Sequence, residues 1–164
     1  MIVAENGVIE NFQVIACIVS FSLFVWGAKV QFGKNNLDWA AVSLFFSLIP
    51  FVGAGRELSF GAVLSLHGTG LLYTKYFLSV VLVLMLSLSL ILLVVAARRK
   101  KLHWRQALSG HVFLVFAILS IIIAQMFEKG QLGFPKNQIL EELMELLAYL
   151  LLVYLSFYRL KSTR

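Results

Sequence analysis

Residues Tyr76 to Ala97 read YFLSVVLVLMLSLSLILLVVAA, with no charged side chain among them. A helix that crosses the hydrocarbon core of a bilayer needs about 20 such residues in a row. The run lacks the period-2 alternation of a barrel strand. A helix also closes its own backbone hydrogen bonds, which lipid cannot satisfy. The rest of the chain agrees with a membrane reading. Of 164 residues, 60% are hydrophobic and only 13% charged, where soluble domains run near a quarter charged. Mean hydropathy is +0.90. Two prolines and 11 glycines exclude collagen-like and low-complexity classes. A single cysteine, Cys17, excludes a disulfide framework and any CxxC motif.

Four further segments read as spans. Leu108 to Phe127 (LSGHVFLVFAILSIIIAQMF) is the next clearest, followed by Phe12 to Val30. Asp38 to Gly53 is shorter, and Pro50 near its end is expected to kink or stop the helix. Ile139 to Leu160 carries Glu141, Glu142 and Glu145 in its first two turns. The sequence therefore predicts an all-α integral membrane bundle of five transmembrane helices in one membrane domain, spanning about 12–30, 38–53, 76–97, 108–127 and 139–160. The segment Ala54 to Lys75, rich in both glycine and apolar residues, is expected to lie at the interface or dip between helices.

Basic residues stay on the cytoplasmic side of a membrane. Arg98, Arg99, Lys100, Lys101 and Arg105 place the loop after the third span inside. Alternation then brings Lys29, Lys34, Arg159, Lys161 and Arg164 inside as well, ten of the 14 cations. Seven of the eight acids fall outside, and Asp38 alone falls inside. The expected orientation is N-out and C-in, in a bacterial inner membrane. The first basic residue is Lys29, so the N-terminus lacks the positive start of a signal peptide, and the first span is expected to be retained. Trp26, Trp39 and Trp104 read as interfacial anchors on the inner side. The basic balance suits anionic headgroups. It lacks the aromatic interleaving of a nucleic-acid surface, so the expected partners are the lipid bilayer, other membrane proteins or further copies of the chain.

This topology gathers residues that are distant in sequence. Arg56, Glu57, Lys75, Glu128, Glu142 and Glu145 come to one outer mouth as a candidate binding or ion-pair cluster. Glu142 and Glu145 share a helix face, as do Glu141 and Glu145. With Asn137 as N-cap, Glu145 lies about 12 Å along its helix, below headgroup level, where ionisable residues pair or carry function. Glu57, Glu128, Glu142 and Glu145, with His67, are candidate oxygen and nitrogen ligands for a divalent cation. A glutamate in low dielectric is equally a candidate proton carrier. The bland reading is that first-turn acids favour the helix dipole and that the exposed pairs contribute little. His111 lies about 25 Å from Glu128 along the fourth span and cannot join the cluster. No serine has an activating partner, so helix packing is the expected role of Ser79, Ser87, Ser89, Ser109 and Ser120.

The stretch Arg56-Glu57-Leu58-Ser59-Phe60, followed by Lys75-Tyr76-Phe77, resembles a pattern of uncharacterised small bacterial multi-span membrane proteins. Those carry R-E-x-D-F, then a lysine with aromatics, an acid closing the next span and an E-x-x-E start to the last. Glu128, Glu142 and Glu145 match the later positions. Ser59 stands where the pattern has Asp, which removes one ligand from a metal site. The resemblance implies the same cluster residues and no reaction. Three functions follow as expectations: a non-enzymatic accessory, transport or cation-binding component; a metal-dependent enzyme acting on a lipid-like substrate; or a purely structural membrane subunit.

Overall fold

The computed structural model describes residues 8–57, 69–99, 110–130 and 137–161. They form five helices: α1 (Val8–Gly33), α2 (Leu37–Glu57), α3 (Thr69–Arg98), α4 (His111–Lys129) and α5 (Gln138–Lys161). There is no strand among the described residues. The first four helices are long and apolar enough to cross a membrane. At 24 residues, α5 is about 36 Å long, but it carries more charge than the others.

Helix ends follow local chemistry. Residues 34–36 connect α1 to α2, with Asn35 in the left-handed region at φ 60°, a conformation asparagine tolerates better than most residues. Asn36 donates to Gln31 Oε1 at 2.8 Å, which closes the turn and sets the two helices antiparallel. Gly130, at φ 62°, ends α4 and donates its N–H to the Met126 carbonyl, the usual role of glycine past a helix end. Asn137 Oδ1 accepts the Leu140 N–H at 3.1 Å and so caps α5.

The helix that carries the second apolar segment runs through Pro50 and past Gly53 to Glu57. Proline removes one hydrogen bond but does not end a helix that its neighbours hold on both sides, and Pro50 is fully buried. The connection read from Ala54 to Lys75 is shorter too, because 54–57 belong to α2 and 69–75 to α3. The remainder of that segment, with the expectation that it dips between helices, lies outside the described residues. The helix α4 begins at His111, directly after Gly110 in the left-handed region at φ 80°.

In space, α1, α2 and α5 form the centre. α1 packs on both α2 and α5; α3 leans on α2, and α4 on α5. One buried cluster joins Ala16, Cys17, Ala117, Ala148, Tyr149 and Leu152; a second joins Phe24, Val42, Phe46 and Leu155. Ser89 fastens α3 to α2 by donating to the Ala41 carbonyl at 2.9 Å. The polarity is the reverse of a soluble protein. Gln13, Ser20, Gln31, Asp38, Ser43, Ser47, Glu145 and Arg159 are buried, while Phe12, Trp26, Tyr76, Leu84, Phe116 and Leu150 are exposed. An exposed apolar surface of this extent suits lipid and not water.

At Gly53 of α2 the side chains of Tyr149 from α5 and Cys17 from α1 press against the backbone. A methyl group there would lie 2.8 Å from Tyr149 Cε1 and 3.1 Å from Cys17 Sγ. Around Gly27 nothing lies within 4 Å of the same position. Gly53→Ala is therefore expected to destabilise the fold by about 1–3 kcal/mol, as overpacking does, and Gly27→Ala to leave it unchanged or raise its stability. Thermal melting of the two purified variants checks the contrast.

Candidate functional site

The first turns of α5 carry the acids, and the Asn137 cap fixes their phase. Glu145 points into the bundle, its side chain only 4% exposed, and forms an ion pair with Arg56 from the last turn of α2. Arg56 Nη2 donates to Glu145 Oε2. Because α2 ends at the start of α5, the two helices must be antiparallel. Glu142 is half-buried: Gln138 Nε2 donates to its carboxylate at 3.1 Å, and Gln13 Nε2 from α1 donates to its backbone carbonyl at 2.8 Å. The Glu141 carboxylate is within electrostatic range of Glu145, Glu128, Arg56 and Glu142. Thus α2, α4 and α5 bring Arg56, Glu128, Glu141, Glu142 and Glu145 to one end of the bundle, with Gln13 of α1 beside them.

The other expected members stand outside this pair or outside the described residues. Lys75 is exposed near the start of α3, and the described ion pair does not include it. Glu57 closes α2, but its side chain lies outside the described residues, as does all of His67. Among the described residues, no three His, Cys, Asp or Glu side chains gather closely enough to hold a metal ion.

A second polar centre joins the same two helices at the other end. Arg159, expected on the cytoplasmic side with Lys161 and Arg164, is buried, 2% exposed. Its Nε and Nη2 donate to Ser43 Oγ at 3.2 and 3.1 Å, and Nη2 donates to the Trp39 carbonyl at 3.5 Å. The guanidinium stacks 4.6 Å from the Trp39 ring and 5.2 Å from that of Phe46, and the Asp38 charge acts on it. Trp39, expected as an interfacial anchor, is thus also a lid on a buried cation. A signal for this was present in the sequence. Glu145, Ala148, Leu152, Leu155 and Arg159 recur at three or four residues, so both charges lie on one stripe of α5. About 21 Å of helix separates them.

Comparison of the chain with models of known protein families, with curated proteins and with solved structures finds no match.

The contacts of Arg159 make a specific forecast. Lysine keeps the charge but loses the planar fork and ring stacking. Arg159→Lys is expected to lower stability by about 1.5–3 kcal/mol, the range for hydrogen bonds to charged groups. Ser43→Ala should cost less, and the double variant should fall short of the two losses added together. A double-mutant cycle read by thermal melting measures that coupling.

Proposed function

We propose that the chain is a bacterial inner-membrane protein whose five helices all cross the bilayer, N-out and C-in, and that it works without catalysis as an accessory, transport or cation-binding component. Burial in α5 supports counting it as a span. Leu140, Leu143, Leu147, Leu150, Tyr154 and Phe157 are exposed, while Glu145 and Arg159 are hidden; a helix among lipids arranges its side chains in this way. Arg99 at the end of α3 donates to Asn35 in the α1–α2 turn at 3.4 Å. That contact supports placing both basic segments on one side, the cytoplasmic one.

The observation that carries the functional reading is the charge at the opposite end. Glu128, Glu142, Glu145 and Arg56 all lie within electrostatic range of Glu141, four acids to one cation, which supports an excess of negative charge at the outer mouth. Such a mouth concentrates cations. The arrangement favours a hydrated cation held by charge over a metal caged by several ligands. The outward faces of α3 and α4 are then available to lipid, to partner helices or to further copies of the chain.

A second reading has its own support. The buried Arg56–Glu145 pair ties α2 to α5, which is enough for a purely structural subunit. Cation titration separates the two. Binding predicts that the melting temperature of the purified protein rises with added calcium or sodium at constant ionic strength, and that Glu128→Gln with Glu142→Gln abolishes the rise. No cation response in the native chain leaves the structural reading. A reporter fused after Arg164 is expected to be active only in its cytoplasmic form; an extracytoplasmic signal overturns the orientation.

A further inference from the structure

We propose that the seam between α1, α2 and α5 binds internal water, on a polar half-path that starts at the outer carboxylates and ends at Phe24 and Phe46. The inference rests on the bilayer placement above and not on cation binding. Its basis is two buried oxygens on α1. Gln13 and Ser20 are both fully buried, and seven residues apart they share one helix face. Gln13 Nε2 is satisfied by the Glu142 carbonyl. Gln13 Oε1 and Ser20 Oγ have no hydrogen-bond partner among the described residues.

Ser20 does not use the usual substitute. Ser22, Ser47, Ser79 and Ser156 each donate to a carbonyl of their own helix three or four residues earlier. The Ser20 hydroxyl makes no such bond and is left needing another partner. Polar groups deep in a bilayer meet no bulk water, and buried polar groups that lack a protein partner are the usual hosts of ordered water. The surroundings supply further polar contacts. Cys17 lies one turn from both residues, and its Sγ and the Tyr149 hydroxyl both flank Gly53. Toward the cytoplasm the seam closes. Phe24 and Phe46 meet edge to face at 6.1 Å, both almost fully buried, and Arg159 lies beyond them against Phe46.

The test uses the full chain, isotopically labelled and reconstituted in phospholipid vesicles. Failure of the bilayer placement shows first, as protein that does not float with the vesicles. Solid-state NMR then measures how fast magnetisation passes from water to individual side chains. Gln13 and Ser20 are expected to receive it several-fold faster than Phe24 and Leu152, which are equally buried. Equal, slow transfer at all four overturns the proposal. A stability measurement gives an independent check. If Ser20 holds water, Ser20→Ala lowers the melting temperature. If the hydroxyl is dry, its removal leaves the melting temperature unchanged or raises it, and either result contradicts the water site.

Discussion

A charged side chain inside a membrane bundle has to find an opposite or polar partner there, because neither lipid nor bulk water can solvate it. That constraint fixes the relation of α2 to α5. Glu145 is held by Arg56 at one end, and Arg159 by Ser43, Trp39 and Asp38 at the other. The two links lie about 21 Å apart along α5. Glu145 and Arg159 are both buried, where an unmatched charge is costly. Breaking a buried pair by removing one partner costs about 3–5 kcal/mol; Arg56 is partly exposed, so solvent screening reduces that figure for its pair. Neither link needs to be strong in itself. A wrong register of α2 against α5 would strand two charges at once, and this penalty selects the observed register.

Other features follow from that pairing. Arg56 reaches Glu145 only because α2 continues through Pro50 and past Gly53. Gly53 in turn must be small because the Tyr149 side chain of α5 and Cys17 Sγ of α1 pack against it. α1 fits into the groove between α2 and α5, and Gln13 joins it to the carbonyl of Glu142. α3 and α4 are then left outside as flanking helices with mostly exposed apolar surfaces, fixed by Ser89 on one side and by Phe113 against Tyr154 on the other.

Much of the helical content was legible in the sequence, because unbroken apolar runs such as Tyr76 to Ala97 leave little choice. The Asn137 cap was legible from residue type and position, and Glu145 stood out because a carboxylate two turns into a span has no ordinary solvent. Two things were hidden. The glycines and proline of α2 carry a stop signal in local terms, but tertiary packing overrides it and the helix runs on to Glu57. Arg159 looks like one of the cytoplasmic cations near the C-terminus, beside Lys161 and Arg164. Its partner Ser43 is 116 residues away, a separation no local pattern reveals. The facing stripe on α5 hinted at it only once the antiparallel contact with α2 was known.

The pairing of α2 with α5 can be tested most directly by exchanging the charges. Arg56→Glu, Glu145→Arg and the double exchange are purified in the same detergent, and their thermal unfolding is compared with that of the native chain. Each single variant places two like charges together at a buried position and should melt well below the native protein. The double exchange restores an opposite pair and should regain most of the loss. A double variant that melts as low as the worse single variant would show that this contact does not hold the two helices in register.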